Sequence, residues 1–429
     1  MRAEAAPRML RWAYLPECEA PPEGWSVERF TNVAKVIAGQ SPPSETYNEK
    51  RDGLPFLQGN GDFSFKSPIP TLWCSAPVKT ARKADTLISV RAPVGEVNWA
   101  DRDYAIGRGL AAVRADGCDP DFLHHALQRW RWCLQRVAQG TTFDAVTARH
   151  FAKLRVAVPR EQSEQAAIAR ILDAVDTALE RTRAAVEQAR EVKRALIQRL
   201  LTEGVRGEPK KKTAIGFVPK SWHVVPVGSV VDNLQYGLSV PMQQTGRLPV
   251  LRMGNIQSGE VVLDDLKYVS LPDKVVSPYL LQRGDVLFNR TNSQEWVGKI
   301  GIYRHDTPAV FASYLIRLFP DGAKLDNYYL GHVLGSYSAQ CRIKRYATPG
   351  VQQVNINATN LGKVLIPLPV GADGLREQRD IAALLEAADA VVRRYEPVLA
   401  AQQSLKASLM HDLLTGRVRV TSDIEAVAS

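Results

Sequence analysis

Arginine, asparagine and glutamine side chains each present two hydrogen-bonding groups in one plane. That matches the paired acceptors of guanine or the donor–acceptor edge of adenine. Such residues concentrate in one polar stretch of the chain: Asn289, Arg290, Thr291, Asn292, Ser293 and Gln294 follow the strand-like run Val286 to Phe288, and Gln352 and Gln353 lie in a later polar loop. Earlier in the chain Arg91, Arg108, Thr141 and Thr142 are candidates of the same kind, with Lys79, Arg82 and Lys83 as cations for an anionic backbone.

Reactive chemistry is harder to find. Gly107, Gly109 and Ala112 formally match a dinucleotide fingerprint, but a strand-like run follows them where a helix is needed. Gly298-Lys299 lacks the upstream glycine and following hydroxyl of a phosphate-binding loop. Asp264-Asp265 with Lys267 reads as a solvated turn, and His124-His125 lack metal-ligand spacing. No metal site and no catalytic centre are expected in this chain.

The elements that must position the polar residues repeat. EQAAIARILDAVD and KRALIQRLLT open and close residues 164–202, and EQRDIAALLEAAD and KASLMHDLLT recur at 377–415, a constant shift of 213. Ile168, Leu172, Val175, Leu179, Val186, Leu196 and Leu200 recur at steps of three and four or sums of these, as do Ile381, Leu385, Val392, Leu399, Leu409 and Leu413. This is the seam of two long helices that pair, each about 60 Å long at 1.5 Å per residue. Pro397 interrupts the second and predicts a kink or break.

Between the helices two mixed heads repeat less closely. Each is entered at a tryptophan (PEGWSV at 22–27, PKSWHV at 219–224). Each carries a helix headed by Asp119 or Asp326 and leaves through a short strand ending in proline, LRVAVP or VLIPLP. The implied organisation is a leader over 1–21, a head over 22–160, a helix over 161–206, a linker over 207–218, a second head over 219–370, a second helix over 371–419 and a tail over 420–429. The fold class is α+β, with a pseudo-twofold internal repeat.

The net charge is +10, and the heads carry more than all of it: residues 1–160 hold +5 and 210–370 hold +8. Basic heads suit a polyanion. Five unpaired cysteines and the lack of an apolar leader segment predict a reduced, cytoplasmic protein.

Head, long helix, head, long helix, with the doubled EQ…D and K…LLT motifs, Trp25 and Trp222 at the entries and LRVAVP and VLIPLP at the exits, resembles the specificity subunit of type I restriction-modification enzymes. The resemblance covers about Pro22 to Arg419. It implies two target recognition domains, each contacting one half of a split DNA site. It also implies an antiparallel coiled coil that spaces them and docks two methyltransferase subunits. S-adenosylmethionine, ATP and Mg are implied on the partner methyltransferase and restriction/translocase subunits, none on this chain. Two other readings remain open: a related restriction system with methylation and cleavage on one partner chain, and a coiled-coil protein-interaction scaffold without DNA specificity.

Overall fold

The computed structural model describes residues 20–138, 146–350 and 353–420. Most of the expected leader, most of the expected tail, and Thr141, Thr142 and Gln352 lie outside the described residues. The chain forms two compact units, Met1–Ala184 with Pro397–Ser429, and Ala185–Glu396. Two long helices, Gln162–Glu203 and Gly374–Leu413, each contribute to both units.

In the first unit, entry strand Trp25–Arg29 pairs antiparallel with exit strand Arg155–Pro159, so the head's two ends are pinned together. Its central sheet runs Ala34–Ala38, Leu110–Ala115, Thr86–Ser89, Val97–Trp99, all antiparallel. A second sheet contains Leu54–Leu57 parallel to Tyr104–Ile106. The second unit repeats each pairing: His223–Pro226 pairs with Leu365–Leu368, and the central order is Val231–Tyr236, Leu315–Pro320, Val286–Asn289, Ile300–Ile302. Leu248–Leu251 lies parallel to Val310–Phe311. A fold used twice is thus visible strand by strand.

The repeated helix motif has a physical explanation. Gln165 donates to the Pro159 carbonyl and accepts from the Asp119 amide (2.8 and 2.7 Å); Gln378 does the same with Pro369 and Asp326 (3.2 and 2.9 Å). One buried amide side chain therefore ties the long helix, the exit strand and the start of the head's own helix. That helix is N-capped by Asp119 (Phe122 N to Oδ1, 2.9 Å) or Asp326 (Tyr329 N to Oδ1, 3.0 Å). Glu377 takes the indole N–H of the buried Trp222, while Glu164 takes the Arg419 guanidinium.

Within each unit the long helices run antiparallel, because low numbers meet high ones: Asp176 with Lys406 (2.7 Å) in the first, and Lys193 with Asp389, Arg190 with Glu396 (3.0 Å) in the second. The expected seam needs correcting at its ends. Ile168, Leu172 and Leu413 belong to the core of the first head, with Trp25, Phe30, Phe122 and Phe151; Leu200, Ile381 and Leu385 belong to that of the second, with Trp222, Tyr329 and Ile366. The helix ends are thus parts of the heads, and the ion pairs lie between them. Leu179 and Val186 are buried; Val175, Leu196, Val392, Leu399 and Leu409 are partly exposed.

Two further expectations change. The second long helix passes through Pro397 without a break. A proline removes one intrahelical bond, and the bonds on either side keep a long helix in register. The linker contains a β-hairpin, Lys210–Thr213 with Gly216–Pro219, turned at residues 214–215 and followed by Gly216 at φ +106°. Among the described residues no helix is long and apolar enough to cross a membrane.

Candidate nucleic-acid interface

In the second head the two nominated stretches meet. Thr291 and Asn292 pair with Asn355 and Val354, which pair in turn with Thr348 and Pro349, forming a three-stranded ribbon at the end of strand Val286–Asn289. The backbone scaffold is repeated in the first head: Ile356 N donates to Arg290 O, and Val146 N donates to Val90 O, each at 2.8 Å. Both exit loops are therefore stitched to the same strand end.

Burial divides the candidates. Asn289 is 0% exposed, with its amide donated to the Trp296 carbonyl, and Thr291 is 7% exposed, its hydroxyl donated to Asn355. These two hold the ribbon's shape and cannot reach a ligand, which corrects their assignment as contacts. Strand Val286–Asn289 is buried on both faces, so its last polar residue is interior. Ser293, Gln294 and Gln353 are exposed; Arg290 and Asn292 are partly so. Arg290 is held in place, its guanidinium 5.0 Å from the Tyr236 ring centroid and its Nη1 donating to the Ser313 carbonyl at 3.3 Å.

Sequence reasoning missed a neighbour. Trp296 is 40% exposed, and Lys299 Nζ sits 3.1 Å from its ring centroid, with desolvation lowering the ammonium's pKa. A tryptophan flanked by Glu295 and a glycine-bearing turn was the available signal.

In the first head Lys79, Arg82, Lys83, Arg91 and Arg108 are all exposed, but they form two groups. Arg91 and Arg108 share the strand end at Val90, whose N–H meets the Gly109 carbonyl at 2.9 Å, and Lys79 lies beside Ile106 (3.0 Å). Arg82 and Lys83 sit at the other end of strand Thr86–Ser89, about 13 Å away at 3.3 Å per residue. Their turn is organised by buried Asp85, which accepts from the Arg82 amide (2.7 Å) and pairs with Arg114 (2.7 and 2.8 Å). The second head repeats this with Asp285, the Gln282 amide (2.9 Å) and Arg317 (3.1 Å), so Gln282 and Arg283 are the matching turn.

His124 and His125 have partners too. His125 Nε2 lies 3.1 Å from Asp173, and the corresponding His332 Nε2 lies 2.8 Å from Glu386. Burial alone would raise the Glu386 carboxyl, but hydrogen bonds from His332 and Arg304 outweigh it and hold the group well below the usual carboxylate range. His332, Glu386 and Asp389 bring ligand atoms within 4.8 Å of one another. Arg304 and Lys193 already occupy the carboxylates, so the cluster is an ion-pair network.

Residues 22–188 match the family model described as type I restriction modification DNA specificity domain. Over 413 residues the chain is 26% identical to the type I restriction enzyme MjaVIII specificity subunit of Methanocaldococcus jannaschii, covering 93% of this chain and 94% of that one. A shorter match to the putative MjaX specificity subunit of the same organism is 38% identical over 189 residues, covering 43% of this chain and 44% of that relative. The Escherichia coli EcoBI specificity subunit is 21% identical, covering 92% and 86%. The fold is that of the type I restriction-modification S subunit from M. genitalium (TM-score 0.63, 15% identity, 93% and 99% coverage).

Fold and relatives together define a DNA-recognition subunit without a catalytic role of its own. Within that class, residues 22–188 carry the type I specificity domain, and the chain is similar over nearly its whole length to specificity subunits of type I restriction-modification enzymes.

Proposed function

We propose that each head reads one half of a split, asymmetric DNA site, and that the paired helices space the heads and dock two methyltransferase subunits, to which restriction/translocase subunits add. Adenine methylation with S-adenosylmethionine, and ATP- and Mg-dependent cleavage, then belong to those partners. One observation carries the reading: the same backbone scaffold in both heads, Val146 on Val90 and Ile356 on Arg290, displays different side chains. Arg91 and Arg108 stand on one; Arg290, Ser293, Gln294 and Gln353 stand on the other. Matching strand ends with unlike reading residues call for unlike half-sites.

The test is selection from a random duplex pool by the chain co-expressed with its methyltransferase partner, repeated at several salt concentrations. A split, non-palindromic consensus is expected, with affinity falling steeply with salt because the heads together carry +13. A continuous or palindromic consensus would overturn the reading. A stable complex without DNA affinity would make the chain a protein scaffold.

A further inference from the structure

The two histidine clusters outside the reading surface occupy equivalent places in the two units. In the first, Lys406 from the second long helix reaches Asp176 of the first long helix (2.7 Å). His125 from the head lies over Asp173 and Asp176 (3.1 and 4.0 Å). In the second, Lys193 reaches Asp389, and His332 lies over Glu386 and Asp389 (2.8 and 4.0 Å). Both histidines are nearly fully buried. Each cluster joins three elements, the head's helix and both long helices.

The first cluster continues into the head. Lys406 Nζ also donates to Gln128 Oε1 (3.0 Å), which fixes which end of that amide is the donor. Gln128 Nε2 therefore donates to His124 Nε2 (2.9 Å), leaving His124 a neutral imidazole whose Nδ1–H faces Thr86 Oγ1 (3.2 Å). Thr86 opens the fully buried strand Thr86–Ser89, and the far end of that strand carries Val90 and Arg91. The second head reaches the corresponding strand end by another route. Arg304 follows Ile302, which pairs with Val286, and its guanidinium holds Glu386 of the second long helix and Glu260. Apolar packing has no preferred direction, whereas directional hydrogen bonds and ion pairs have one geometry.

We infer that Lys406 and Lys193 are positioning residues for sequence readout: each fixes the strand that carries its own head's reading end, Lys406 through Gln128 and His124, Lys193 through Asp389 and the His332–Glu386–Arg304 cluster. The inference rests on the split-site reading, and its test separates the two. The complex with the methyltransferase partner is prepared with Lys406→Met, Lys193→Met, and the paired exchange Asp176→Lys with Lys406→Asp. Each complex is taken through duplex selection and through amide exchange of the bound chain.

Lys406→Met is expected to relax the first head's half-site with the second intact, to weaken binding roughly two- to thirtyfold, and to speed exchange across Thr86–Arg91 but not Val286–Arg290. Lys193→Met does the reverse, and the exchanged pair, which keeps the ion pair but sets a carboxylate against Gln128 Oε1, leaves the first half-site relaxed. Equal loss at both half-sites, or an unchanged consensus with unchanged exchange at the strand, overturns the inference. Should the unaltered complex select no split site, the functional reading fails, while the exchange pattern still decides the positioning role.

Discussion

Arg290 and Asn289 are adjacent in sequence and have opposite tasks. Arg290 stands on Tyr236 and is partly exposed, so Arg290→Ala should cost about 1–3 kcal/mol of DNA binding and relax one position of the second half-site, read by selection and titration. Lysine should not rescue it, because a point charge cannot reproduce a stacked planar fork. Asn289→Ala should instead lower the melting temperature, by leaving the Trp296 carbonyl unpaired at a cost of about 1–3 kcal/mol, and leave the consensus unchanged. His124 gives the pH prediction. Desolvation, with help from nearby His125 and Lys406, pushes its pKa down from 6.5 to about 3. A folded-state pKa below the unfolded value means the unfolded chain binds the extra proton, so this contribution is complete above pH 6.5 and drains away as pH falls toward 3. Urea titrations of His124→Gln across that window should show a shallower loss of stability than the unaltered chain.

At the level of elements, the doubled helix motif was legible in the sequence, and its reason was not. Gln165 and Gln378 read as one more helical polar residue, because their partners at Asp119 and Asp326 are distant in sequence and only the fold brings them near. The task of Asn289 was hidden for a related cause. Val286–Asn289 is buried throughout, so polarity at its end signalled an interior hydrogen bond rather than a contact. The placement of the cations was not legible either: Arg82 and Arg91 are near in sequence but lie at opposite ends of one strand. Pro397 was given too much weight, since local propensity yields to a helix already held along its length. Pro397→Ala restores a donor for the Arg393 carbonyl, and is expected to raise the melting temperature by a few degrees, for up to about 3 kcal/mol, with the recognised spacer unchanged.

For the whole molecule, the pairing rule of the helices has a consequence for copy number. The shift of 213 turns Asp176 into Asp389 and Lys406's counterpart Lys193 into Lys406, so each helix offers the other the same acid and the same base in the same order. Leu200, Leu201 and Arg206 likewise correspond to Leu413, Leu414 and Arg419. One half of the chain therefore finds in a duplicate of itself what it now takes from the other half. Residues 20–206 expressed alone are expected to sediment as a dimer, with Lys193 of one copy on Asp176 of the other, and Lys193→Asp should return them to monomers. The asymmetry of this protein resides in its heads; its helices are a palindrome written in amino acids.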